Sequence, residues 1–99
     1  MARRYKLLTK ELEKKLPPLG SGSTVAVVKF FTPWSYWTWY ACEYDPKTRI
    51  FYGLVEGHEK EWGDFSLDEL ESVRGPFGLQ IERDLYWKPT DVAVEGVGV

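Results

Sequence analysis

A single cysteine and a single histidine occur in 99 residues, and each scarcity closes a class of chemistry. Cys42 alone can form neither an intramolecular disulfide nor a cysteine-based zinc site, and its place inside an aromatic segment suits a small buried hydrophobe. His58 lies in Gly57-His58-Glu59-Lys60-Glu61, which lacks the second His that a zinc-protease helix needs four residues on. One imidazole would also have to serve every Ser-His-Asp or Cys-His scheme, and no Gly-rich phosphate loop is present. No apolar run reaches the roughly 20 residues of a membrane span, and Met1 to Lys6 lead into a polar helix instead of a signal-peptide core. The expectation is a cytoplasmic protein with no membrane partner, no cofactor and no bound metal, for which an enzymatic role is the less favoured reading.

Charge of either sign is also scarce in sum, at −2, which argues against generic attraction to nucleic acid. The charges are segregated, however. Residues 1–15 hold six basic and two acidic groups, whereas residues 56–72 hold one basic and seven acidic groups. The two patches either pair within the fold or face different partners.

What the chain has in quantity is aromatic side chain: eight of its sixteen Phe, Trp and Tyr residues fall between Lys29 and Tyr44. The Val- and Phe-rich run 24–32 reads as a strand, 32–35 as a turn, 36–44 as a second strand and 49–56 as a third, with Asp45-Pro46 favouring a type I turn between the last two. Strict alternation puts Tyr36, Thr38, Tyr40, Cys42 and Tyr44 on one face and Trp37, Trp39, Ala41 and Glu43 on the other. A short fourth strand fits 61–65.

Two helices flank this meander. Thr9 caps one that runs to Leu16 before Pro17-Pro18, with Leu8, Leu12 and Leu16 as a narrow apolar stripe. Ser66-Leu67-Asp68-Glu69 is a capping box for the second, expected from Leu67 to about Arg74 with Gly75 as terminator. Residues 79–87 return to the sheet, and 91–99 read as a flexible tail after a domain spanning 1–90. The expected class is α+β: one domain with a twisted antiparallel sheet of four to five strands and two short helices.

Five segments in order, Lys29-Phe-Phe-Thr-Pro, Trp37-Thr-Trp-Tyr, Phe51-Tyr-Gly-Leu-Val, Phe65-Ser-Leu-Asp-Glu-Leu and Ile81-Glu-Arg-Asp-Leu-Tyr-Trp, resemble the domain-of-unknown-function family 2958 over about residues 6–90. The resemblance implies a small bacterial, plasmid- or phage-associated protein with no settled activity. This chain has Trp62-Gly63-Asp64 where the family tends to have Leu-Gly-Tyr, which adds an acid to the acidic segment.

Three functional readings compete. Aromatic residues are enriched at protein interfaces, so Trp34, Tyr36, Trp37, Trp39 and Tyr40 with the acidic Glu59, Glu61 and Asp64 are candidates for binding a protein partner, a second copy of the chain included. This is the favoured reading: a non-enzymatic interaction protein of a mobile element, counter-defence being one such role. Stacking of single-stranded nucleic acid on the aromatic strands, with Arg3, Arg4, Lys6 and Lys29 supplying positive charge, is the alternative. A metal-dependent hydrolase built on His58, Glu82 and Asp84 is the third, weakened by so few ligand types; His58 with Glu59 and Asp64 makes an equally thin set. Glu82 and Asp84 should point one way and Arg83 the other, most simply to pin the last strand by charge.

Overall fold

The computed structural model describes residues 5–93. Thr9 accepts from the Leu12 N–H at 3.2 Å and opens α1 (Lys10–Lys15), which stops at Leu16 ahead of the two prolines. Segment 24–32 divides at Val27 into β1 (Val25–Ala26) and β2 (Val28–Phe31), which join different sheets. β3 (Thr38–Asp45), β4 (Ile50–Glu56) and β5 (Lys60–Ser66) complete an antiparallel meander with β2.

The β3–β4 turn is fixed by Asp45, whose carboxylate accepts from the Lys47 N–H and the Thr48 hydroxyl, each at 3.0 Å. Arg49 closes that turn at φ 59°. Its guanidinium reaches Asp68 at 2.6 Å and Glu71 at 2.7 Å, so part of the acidic segment is neutralised inside the fold. Those two acids lie on α2 (Leu67–Ser72), where Ser66 caps by accepting from the Glu69 N–H at 3.2 Å. The helix ends two residues before the expected Arg74, because Arg74 enters a bridge with Gln80 around a one-turn 3-10 segment at Pro76–Gly78.

β6 (Glu82–Arg83) pairs with β2, giving one five-stranded sheet in the order β5-β4-β3-β2-β6. β7 (Thr90–Asp91) pairs with β1 in a second, two-stranded sheet. Asp91 and Val92, read from sequence as the start of a loose tail, therefore belong to the fold: Val92 is buried, and Asp91 accepts from the Thr24 hydroxyl at 2.9 Å. Residues 94–99 of that expected tail lie outside the described residues.

Both faces of the large sheet carry a core. Leu7, Leu16, Leu67 and Leu70 from the helical segments pack with Ile81 on Phe30, Ala41, Tyr44 and Phe51, and this side is the front face. Tyr40, Cys42 and Leu54 meet Ala26 and Val92 on the rear face, with Trp87 alongside. The simple alternation expected for β3 fails at one point. Ala41 pairs with Gly53 and Glu43 with Tyr52, so Cys42 is the extra residue of a β-bulge. One inserted residue exchanges the faces beyond it. Tyr44 joins the front core instead of lying with Tyr40, and Glu43 leaves the Trp37–Trp39 side for the side of Tyr52.

Candidate functional site

The aromatic turn 33–37 is seated on glycines supplied by distant loops. Trp34 lies over Gly75 and Trp37 over Gly57, so closely in each case that an added Cβ would overlap the indole. Only a residue with no side chain lets the ring lie flat on the backbone there. Trp34 is thereby drawn toward the front core, and Tyr40 is buried on the rear face under Trp87. Tyr40 therefore presents no open ring, whereas Trp34 is half-buried.

The remaining rings gather around the loop that carries Gly57 and His58, with Trp39 also packed against the front core. Trp37 stacks on Trp39 with centroids 5.9 Å apart and planes 29° from parallel, and both are half-buried. His58 stands edge-on to Trp37 at 5.5 Å, and its Nδ1 lies 3.0 Å from the hydroxyl of Tyr36. Tyr36 is 63% exposed. In the next strands Val55 and then Glu61 continue the row that starts at Trp39. Glu59, in the same loop as His58, is exposed beside it. Among the described residues, neither Glu59 nor Glu61 enters an ion pair. Asp64 instead pairs with Tyr52 on the rear face, away from this cluster.

Tyr36 and Trp37 also wall an open cleft of about 310 Å³ that they share with Phe31, Thr32, Ser35, Thr38, Lys29 and Asp84. At its floor Lys29 lies 3.8 Å from Asp84 and faces the rings of Tyr40 and Trp87. Lys29 is thus on the rear face, already held by a carboxylate and two aromatic faces. Lys6 is exposed near the N-terminal end, and Arg3 and Arg4 lie outside the described residues. Of these groups, Lys29 lies on the opposite face of the sheet from Trp39.

The hydrolase set is likewise dispersed. His58 is engaged by Tyr36, Glu82 accepts from the Tyr5 hydroxyl at 3.3 Å, and Asp84 holds Lys29. Among the described residues no three His, Cys, Asp and Glu side chains converge as a ligand set. Arg83 does project opposite Glu82 and Asp84, and its Nη1 donates to the Lys6 and Leu7 carbonyls at 2.7 and 3.1 Å. That clasp ties the N-terminal segment to the last strand of the sheet. Arg74 takes no part in that clasp and donates to the Glu71 and Val73 carbonyls next to itself.

A family model described as "Protein of unknown function (DUF2958)" matches residues 4–94. The chain belongs to the DUF2958 family. No curated protein and no solved structure matches it. The five sequence segments that carry the family resemblance contribute Trp39 and Phe51 to this DUF2958 sheet and Trp37 to the turn before it, while His58 and Gly57 fall between segments. Their role was missed because a glycine seat is a long-range contact that spacing along the chain does not report.

Cys42 offers no reactive thiol to the site. Burial first, then the nearby Glu43 and Asp91 charges, push its pKa up to about 12. A thiol so protonated at pH 8 should react with iodoacetamide roughly 10³-fold more slowly than an unfolded one. Intact-mass analysis should show no adduct on the native protein and one after denaturation; rapid native labelling would contradict the burial of Cys42. Among the described residues no helix is long and apolar enough to cross a membrane.

Proposed function

We propose that this DUF2958 chain is a non-enzymatic interaction module that binds a protein partner through the Trp37–Trp39 stack, the Tyr36–His58 pair and the flanking Glu59 and Glu61. The observation that carries this reading is the half-open Trp stack. Trp37, seated on Gly57 and stacked on Trp39, is already ordered and loses little side-chain entropy on binding. The adjacent carboxylates favour a partner segment bearing an apolar anchor with Lys or Arg beside it, the anchor on the indoles and the cation at Glu59 or Glu61. The setting proposed with it is a plasmid, phage or other mobile element, which the family resemblance implies; the cytoplasmic location rests on the lone cysteine and the short apolar runs, and counter-defence on the acidic segment.

Affinity capture from the host with the wild-type chain and with Trp37→Ala and Glu59→Lys/Glu61→Lys variants tests the reading. A specific partner should be retained by the wild type and lost by both variants, with purified Kd values weakened by about 10- to 30-fold at Trp37, as expected of an interface anchor worth about 2 kcal/mol. A partner that both variants bind like the wild type would refute the assignment. Salt-sensitive binding of single-stranded DNA, lost with Trp37, would replace it by the nucleic-acid reading.

A further inference from the structure

Among the described residues, strand β5 ends the sheet order and pairs with β4 on one side only. An edge strand of seven residues presents a second row of backbone donors and acceptors to whatever can pair with it. Along β5, Lys60, Trp62 and Asp64 pair with Glu56, Leu54 and Tyr52 and so share the rear face. All three are exposed, Trp62 at 39% although it stacks on Tyr52 with centroids 6.2 Å apart.

The order cation, ring, anion at every second residue is self-complementary about its centre. We infer that the outer edge of β5 is a homodimerisation strand, pairing antiparallel with β5 of a second copy in the register centred on Trp62. Directly opposite residues in such a pair lie about 5 Å apart at Cβ. Each Lys60 then faces Asp64 of the other copy, and the two Trp62 rings meet on the two-fold axis. Glu61, on the front face, falls opposite Gly63, so no acid meets another acid.

Neighbouring registers lack this match. Centring the axis on Glu61 places that carboxylate against its own copy, and centring it on Asp64 does the same for Asp64. Centring it on Gly63 sets Trp62 against Asp64 and Glu61 against Phe65. Lys60 already lies 3.9 Å from Glu56 in its own chain, and Glu56 Oε1 is buried with no hydrogen bond, so the incoming Asp64 would complete an alternating carboxylate–ammonium–carboxylate row. Two five-stranded sheets would become one of ten strands. The Lys60, Trp62 and Asp64 contacts lie on the rear face, opposite the Trp39 row, and only Glu61 belongs to both surfaces, so the charge exchange tests dimerisation without altering any residue of the proposed partner site.

The test is a charge exchange followed by sedimentation equilibrium. Wild-type protein should dimerise with a Kd in roughly the micromolar range. Lys60→Asp and Asp64→Lys should each weaken dimerisation by about tenfold or more, because each turns two opposite-charge contacts into two like-charge ones. An equimolar mixture of the two variants should recover the dimer as a heterodimer, since every contact across the axis is then again opposite in sign. Misfolding of one variant could not produce that recovery. A wild type that is monomeric at about 1 mM, as it would be if the edge served a segment of another protein, overturns the inference. So does a mixture that associates no better than its components.

Discussion

Replacing Gly53 by Ala should cost about 4 kcal/mol or more, enough to unfold a domain whose total stability is roughly 5–15 kcal/mol. Gly53 sits opposite the bulge, paired with Ala41 while Cys42 is left without a partner. A Cβ at position 53 would overlap the Tyr40 carbonyl oxygen and come within 3.2 Å of the Cys42 N–H nitrogen. Both are backbone atoms of the central strand, so neither can turn aside as a side-chain tip would. Relief requires β3 to move away or the bulge to be expelled. Expelling it returns Glu43 and Tyr44 to strict alternation, which drives a carboxylate toward the front core and takes Tyr44 away from Phe51, whose centroid lies 4.6 Å away.

The same substitution one strand further out supplies the control. Gly63 is the cross-strand partner of Gly53, and a Cβ there meets nothing within 4 Å. Gly63→Ala should change stability by no more than about 0.5–1 kcal/mol, and in the favourable direction, because alanine loses less backbone entropy on folding. Urea titrations of the two variants should separate by several kcal/mol. Equal and small effects would mean that the bulge does not approach Gly53 as closely as described.

The contrast shows which parts of this fold are legible in the chain. Thr9 and Ser66 announce their helices because a cap is a local contact, completed within three residues. Asp45-Pro46 announces its turn for the same reason. The bulge is silent, since a period-two pattern contains no mark for an inserted residue, and its one trace is Gly53, eleven residues after Cys42 on another strand. Two-residue strands such as β1 and β7 are also silent, which is why Val92 looked like tail although it is 3% exposed. At the candidate site the composition singled out the aromatic segment 29–44 but held no mark of which rings a distant loop would cover. Trp34 and Trp37 are equivalent in sequence terms, and only the loops bearing Gly75 and Gly57 decide that one turns toward the core and the other toward the rim.

Glu43 carries the second large expectation, and it depends on pH. The side chain is 2% exposed, a position in which an unpaired carboxylate would be severely penalised. Its Oε1 accepts from the Gly20 N–H at 3.0 Å, and its Oε2 from the Ser21 hydroxyl and the Ser23 N–H, each at 2.9 Å. The Gly20 to Ser23 connector, composed like a flexible linker, is thus wrapped on a buried anion. Burial by itself raises the pKa of Glu43, but hydrogen bonds from Gly20, Ser21, Ser23 and Gly22 outweigh it and leave the group below the ordinary carboxylate value. A carboxyl that is more acidic folded than unfolded binds fewer protons in the native state. Its stabilisation is therefore complete above the unfolded pKa of about 4.3 and is lost as pH falls through the lower folded value. Glu43→Gln preserves shape but turns an amide N–H₂ toward donors, and should cost about 2–4 kcal/mol at pH 7. As pH falls from about 4.3 through the lower folded value, the wild type loses the share that its ionisation contributes, so the gap between the two proteins should narrow toward acid. Urea midpoints measured from pH 7 down to pH 2 would show the two curves converging, whereas a gap that stays constant across that range would mean that the charge on Glu43 does not hold the connector in place.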